Sequence, residues 1–347
     1  MSLTARRVLP PPAPWLKDSL WRRARAVPSL DLRFADNKSL VDSVSGQNLI
    51  TFTRASTATF VGSDGVLQTA ATDAPRFDHN PTTGESLGLL VEEQRSNLLL
   101  NSATLSTQNV TVTAAAHTLS FTGTGTITLT GTSTAGPLVG TGTGEGNRVI
   151  LTFTPTAGTL TLTVSGTVSN AQLEPGSFRT SYIPTTTSQV TRAADVATIT
   201  GSNFSGWYRQ DEGTFYGDAF RPFAVPAPDF PVIADARTGG DVVQIGYLTE
   251  GLAGGYVQVG GVVQAGLYPG SGSTRARKIA FAAAANNYAV ACNGGAVVTN
   301  ASGTMPAAMT SLQIGSVGPF QYLNGHIRRL TYFPTRLPNT TLQRITQ

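Results

Sequence analysis

Along most of the chain apolar and polar residues alternate one for one, the period of a strand with one buried face, and the three-to-four spacing of an amphipathic helix is rare. TLSFTGTGTITLTG and NRVILTFTPTAGTLTLTVSG alternate strictly, which predicts half-buried antiparallel strands with β-branched threonine on the solvent side. From residue 196 onward TFYGDAF, DVVQIGYL, YVQVGGVVQAGL, KIAFAAA, NYAVACNGGAVV, SLQIGSVG and GHIRRLTYFP are separated by Gly, Pro or Asn clusters, the strand count of a β-sandwich. Asn293-Gly294-Gly295 predicts a hairpin turn, and the slip in alternation at Arg328-Arg329 predicts a bulge. Residues 31–100 read as a turn-rich unit, with Ser63-Asp64-Gly65 between short strands and an apolar strand at Leu87–Val91. Helical spacing is confined to WLKDSLWRRARA and to TLQRITQ at the end.

The expected fold class is therefore all-β. An anchor arm, extended and in part helical, at 1–30 leads into a β-rich connector at 31–100. An antiparallel jelly-roll sandwich at 101–184, a linker at 185–199 and a second sandwich at 200–347 complete the chain.

Composition sharpens this outline. Gly 37, Pro 20 and only 13% charged residues suit many short strands joined by turns. Residues 101–170 hold 21 threonines and two charges, Glu145 and Arg148. A single cysteine, Cys292, excludes an internal disulfide framework, and between apolar strand neighbours it reads as a buried small hydrophobe. Three scattered histidines argue against a His-built metal or proton-relay site, so neither metal nor cofactor is expected. No apolar run reaches the length of a membrane span, and the basic N-terminus lacks a secretory apolar core, so synthesis in the cytoplasm without a signal peptide is the expectation.

The net charge of +4 conceals an asymmetry: residues 1–30 carry a balance of +5, residues 31–250 one of −8, and the chain beyond Glu250 has no carboxylate and seven bases. A basic arm without an aromatic-studded recognition module argues for an acidic protein partner rather than nucleic acid. Pro10, Pro11, Pro12 and Pro14 block a helix and favour extended geometry. Trp15, Trp21, Arg22, Arg23 and Arg25 have the composition of interface anchors.

Five stretches of the chain carry a resemblance. RASTATFVGSDGVLQTA, APRFDHNPTTGESLGLLVEEQRSNLLLNS and QLEPGSFRTSYIPTTTSQVTRAAD, in this order, resemble segments of tailed-bacteriophage tail fibres and other virion appendage proteins. NYAVACNGGAVV through LNGHIRRLTYFPTRLPNTTLQRIT is similar to the concanavalin A-like or laminin G-like sandwich that ends such chains, and residues 101–182 resemble a carbohydrate-binding-module jelly roll. The resemblance implies a phage virion structural protein, a tail fibre or baseplate-attached receptor-binding protein. Its arm would meet other virion proteins, its copies would form a homo-oligomer (a trimer by preference), and its sandwiches would touch host-surface polysaccharide. A head or neck decoration protein without a receptor role and a tail-attached depolymerase are the alternatives.

Sugar-cleaving concanavalin-like proteins carry alternate carboxylates on one strand, and no such strand occurs here. Asp211, Glu212 and Asp218 span a turn, Glu92 and Glu93 point to opposite faces of a strand, and GTGTGEG lacks the helix that a phosphate loop needs. No catalytic residue is assigned. Glu174 reads as structural. Sugar binding needs flat aromatic faces together with amides; Trp207, Tyr256 and Tyr268, which flank glycine-rich turns, are the candidate ligand contacts.

Overall fold

The computed structural model describes residues 18–223, 230–249, 252–270 and 275–347. The all-β expectation holds, in the form of two sandwiches. The larger pairs an eight-stranded with a seven-stranded antiparallel sheet. The first runs in the order Val298–Asn300, Tyr288–Cys292, Ala276–Ala284, Glu212–Phe220, Gly325–Phe333, Ser86–Val91, Phe77–His79, and Leu30–Leu32 adds to Gly325–Phe333. The second runs Thr51–Thr53, Val196–Thr200, Ser311–Ile314, Val232–Thr238, Asp241–Thr249, Leu252–Val259, Val262–Leu267. Between them lies one core, with Phe215, Ile279, Phe281 and Leu330 from one sheet and Ile199, Ile233, Ile245 and Leu312 from the other.

Two expectations about organisation need correction. Residues 31–100 are not a separate connector: Thr51–Thr53, Phe77–His79 and Ser86–Val91 supply strands to both sheets of the larger sandwich. Nor is 185–199 a free linker, because Val190–Arg192 pairs antiparallel with Arg95–Asn97 and Val196–Thr200 lies inside the seven-stranded sheet. The physical reason is that strands become stable only when their backbone groups find partners, and these partners lie far away in sequence.

The smaller sandwich is consequently an insertion. Its entry and exit are the paired strands Arg95–Asn97 and Val190–Arg192. A four-stranded sheet (Leu138–Val139, Thr126–Gly131, Gly158–Ser165, Gln108–Val112) faces a three-stranded one (Val149–Phe153, His117–Gly123, Val168–Pro175). Leu119, Phe121, Ile127, Leu129, Leu160, Leu162 and Leu173 fill the space between them.

The outer face of the eight-stranded sheet is paved with small residues, Ala280, Ala282, Ala289 and Ala291, so helices can approach it closely. Helix Ser19–Ala24 and helix Asn339–Ile345 lie there, burying Leu20, Trp21, Leu342 and Ile345. Asp18 caps the first helix by accepting from the backbone N–H groups of Leu20 (2.8 Å) and Trp21 (3.2 Å). The bulge occurs where the alternation slips: Asp218 pairs with Arg329 and Ala219 with Ile327, leaving Arg328 as the extra residue.

Candidate functional site

Four consecutive strands, from Val232–Thr238 to Val262–Leu267, form the free end of the seven-stranded sheet. The last hairpin turns through Gly260-Gly261 alone, both at positive φ (56° and 82°), the two-residue turn that matches strand twist. Alternation splits the residues between two faces. Val243, Ile245, Ala253 and Val257 enter the core, while Gln244, Gly246, Gly254, Tyr256 and Gln258 line a groove of about 320 Å³ on the other side. Arg237, Tyr268, Phe230 and Gln321 line it as well, with Val242, Tyr247 and Leu248.

Register fixes the groove's shape. Tyr256 stands opposite Gln244 on one neighbouring strand and Gly266 on the other, and Gly246 stands opposite Gly254. A Cβ on Gly254 would collide with the Leu267 carbonyl, and one on Gly246 would lie 2.6 Å from the Pro231 carbonyl oxygen. These positions therefore remain bare and form a floor beside the two tyrosine rings. A Cβ on Gly266 would sit 3.5 Å from the Tyr268 ring and 3.9 Å from that of Tyr256, so this glycine lies between them.

The polar groups around this floor are held in place. The Tyr256 hydroxyl donates to Gln258 Oε1 at 2.7 Å, and Gln258 Nε2 donates to the Gly240 carbonyl at 2.9 Å. Arg237 Nε donates to the buried Asp235 at 2.8 Å. Burial raises the Asp235 carboxyl, an effect that Arg237 opposes. Burial and then Tyr256 push the Tyr268 hydroxyl up to about 12, so it remains a protonated donor at neutral pH. The described lining residues include no carboxylate. Rings, amides, a hydroxyl and one guanidinium around a bare floor can grip a flat, hydroxylated ligand by its C–H face and its hydroxyls.

Of the three candidate ligand contacts, Tyr256 and Tyr268 meet in this groove and Trp207 does not. Trp207 is 6% exposed, with its ring 5.0 Å from Phe204 and 5.2 Å from Tyr332, so it belongs to the core and not to a ligand surface. A large apolar ring following the short helix Ser202–Ser205 gains more from burial than a nearby glycine turn offers in exposure. Gln244, Gln258 and Arg237 were not singled out in the sequence, although their odd-even alternation with core residues in RTGGDVVQIGYL and YVQVGG carries that signal.

Among the arm residues, Trp15 lies outside the described residues. Trp21 is a correction: it is buried, and its indole N–H donates to Asp31 at 3.0 Å, so it anchors the helix to its own sheet. Arg23 donates to the carbonyls of Arg344 (3.3 Å) and Gln347 (3.1 Å), while Arg22 and Arg25 are exposed.

The segments that carry the phage resemblance converge on one buried ionic cluster. Arg54 (from RAST), Arg76 (from APRF), Glu92 (from VEEQRSN), and Arg192 and Asp195 (from TRAAD) are all buried. Arg54 reaches Asp195 at 3.1 Å, and Arg76 bridges Asp195 to Glu92, the latter at 2.9 Å. Glu92 also accepts from the Ser181 N–H (2.8 Å) and hydroxyl (2.7 Å), which ties the insertion to the larger sandwich. Glu174 is structural, accepting from the Thr180 N–H at 2.9 Å, from its hydroxyl at 2.8 Å and from Gln172 at 2.6 Å. Among the described residues, no cluster of His, Cys, Asp and Glu suited to a metal ion occurs.

No family model and no curated protein sequence matches the chain. Solved structures are similar over less than half of it. One is the Ruminococcus gnavus IT-sialidase CBM40, at 12% identity over 42% of this chain and 88% of that one, with a TM-score of 0.36. A second is botulinum neurotoxin type C, whose cell entry depends on interaction with two ganglioside molecules. It aligns at 11% identity over 44% of this chain and 40% of the toxin chain, with a TM-score of 0.35. A third is Trypanosoma rangeli sialidase, at 11% identity over 44% of this chain and 26% of that chain, with a TM-score of 0.32. This chain thus spans 40% and 26% of the toxin and the trypanosomal sialidase, and most of the CBM40 chain.

Proposed function

We propose that this protein is a sugar-binding appendage of a tailed-phage virion, a tail fibre or baseplate-attached protein, that holds host-surface glycan in the Tyr256–Tyr268 groove without cleaving it. The observation that carries the sugar reading is the pair of tyrosine rings beside a glycine floor, ringed by Gln244, Gln258 and Arg237. The virion setting rests on the ordered segments ending in QLEPGSFRTSYIPTTTSQVTRAAD. Exposed Arg22 and Arg25 are the described arm residues that a virion partner would meet. A homotrimer is the arrangement that the resemblance favours, and repeated copies raise avidity by about 10²–10⁴ even where each groove binds weakly.

The test is titration of the full chain with a panel of bacterial surface polysaccharides, with analysis of the supernatant for new reducing ends. Tyr256→Ala is expected to weaken binding roughly 2- to 13-fold, the equivalent of ~0.5–1.5 kcal/mol for one aromatic contact. Its thermal midpoint should stay within a few degrees of the parent. Undiminished binding by a Tyr256→Ala, Tyr268→Ala double variant would remove the groove from the proposal. Released oligosaccharide would replace binding with hydrolysis.

A further inference from the structure

A second cavity, also about 320 Å³, opens where the insertion meets the larger sandwich. Glu145 and Phe178–Tyr182 reach it from the insertion, while Asp78, His79, Phe220 and His326 reach it from the sandwich. It shares no lining residue with the tyrosine groove.

We propose that this junction cavity is a second ligand site, one that takes a small polyhydroxylated carboxylate of single-sugar size, with Arg179 holding the carboxylate. The charged groups around the cavity are otherwise paired. Glu145 faces Arg148 at 3.3 Å, Glu92 faces Arg76 at 2.9 Å, Glu85 faces Arg328 at 3.1 Å and Asp78 faces His326 at 2.8 Å. Arg179 has no carboxylate within ion-pair distance among the described residues. Its contact is the Phe223 ring, 5.6 Å away, and the side chain is only half-buried. Burial and then Arg148 pull its guanidinium down to about 10, against the opposing fields of Glu145, Glu92 and Glu174, and it carries its charge at neutral pH. A planar guanidinium in this position matches a carboxylate in two parallel hydrogen bonds.

The remaining unsatisfied groups favour hydroxyls. His326 Nε2 lies 2.8 Å from the Asp78 carboxylate, which leaves its Nδ1 buried without a partner. His79 Nδ1 faces the Val61 carbonyl at 3.1 Å, and its Nε2 is likewise without a partner. Glu145 Oε1 is a buried acceptor with none, and Arg179 Nε and Arg328 Nε are buried donors with none. Unpartnered imidazole nitrogens, a carboxylate oxygen and guanidinium N–H groups suit a ligand whose several hydroxyls can both donate and accept and which carries a single negative charge. A doubly charged phosphate would meet Asp78, Glu92 and Glu145 with too few donors to offset them. Phe178, Phe220 and Tyr182 supply apolar walls for the C–H face of a sugar ring.

Calorimetric titration of the full chain with D-glucuronate, N-acetylneuraminate, D-glucose and inorganic phosphate tests this. One of the two sugar acids is expected to bind at least tenfold more tightly than glucose and phosphate. Arg179→Met should lower that affinity at least tenfold, Arg179→Lys should lower it less, and Tyr256→Ala should leave it within twofold. Thermal midpoints establish that each variant is folded; should the Met variant fail to fold, the Lys variant carries the test, and an unchanged affinity there overturns the assignment. Equal binding of glucose or phosphate, or no binding of either acid, overturns the site. Loss in Tyr256→Ala would move the ligand to the groove and overturns it equally.

Discussion

Glu92 and Glu174 are both buried, and their carboxyls move in opposite directions. Burial alone would raise Glu92, but Arg192, Arg76 and Ser181 outweigh it and hold the carboxyl far below the usual carboxylate range. Burial dominates at Glu174, whose hydrogen bonds from Thr180 only partly offset it, so its carboxyl is raised. A depressed carboxylate stabilises the fold fully above its unfolded value and loses that contribution as pH falls toward the folded value. Glu92→Gln should therefore cost about 3–5 kcal/mol in urea melts at pH 7. The gap from the parent should close progressively below pH ~4.3. Glu174→Gln removes a charge that burial disfavours and should cost less at pH 7. A gap for Glu92→Gln that stays constant down to pH 3 would contradict the ion-pair account. At Cys292, burial pushes the thiol up to about 12, and its S–H faces the Ala253 carbonyl at 3.2 Å, so the residue behaves as a core hydrophobe.

At the scale of elements, the two terminal helices owe their position to the alanine face of the eight-stranded sheet. The helix Ser19–Ala24 is too short to persist by itself. Its N-cap Asp18, its Trp21–Asp31 hydrogen bond and the ion pair of Asp18 with Arg329 at 2.9 Å fasten it instead. Trp21→Ala is accordingly expected to cost ~3–5 kcal/mol in chemical denaturation, the range for truncating a buried indole. Arg22→Ala and Arg25→Ala should stay within about 0.5 kcal/mol, because both are exposed. A Trp21→Ala protein as stable as the parent would show that the helix does not need the sheet. The same division separates stability from docking: under the proposed virion role, a defect in particle incorporation caused by Arg22→Ala would concern a partner, whereas one caused by Trp21→Ala would concern the fold.

At the scale of the whole molecule, the smaller sandwich hangs from one antiparallel pair, with Asn97 opposite Val190. Replacing residues 98–189 with a short Gly-Ser turn should therefore leave the larger sandwich folded, with a lower thermal midpoint because Glu92 loses its Ser181 donors. The excised protein is expected to retain the Tyr256–Tyr268 groove and to lose the Arg179 cavity. Circular dichroism and a thermal melt check the first part, and repeating both ligand titrations checks the second. An unfolded product would mean that the insertion is required to assemble the surrounding sheets.

The sequence by itself determined the local physics: strand periodicity, the hairpin at Asn293-Gly294, the Arg328 bulge, a buried Cys292 and a structural Glu174 were all legible, because each depends on neighbours a few residues away. Tyr256 and Tyr268 were legible as side chains beside glycine turns, but their convergence on one groove depended on the register of three hairpins. The burial of Trp207 and Trp21 has the same origin: exposure of a large ring is decided by which distant sheet passes over it. Only the tertiary structure decided that residues 31–100 complete the sandwich of residues 196–347, that Arg54, Arg76, Glu92, Arg192 and Asp195 meet in one ionic cluster, and that Arg179 has no paired carboxylate among the described residues. Backbone pairing and charge compensation are long-range terms, set by residues one to three hundred positions apart, and no local pattern encodes which of them will meet.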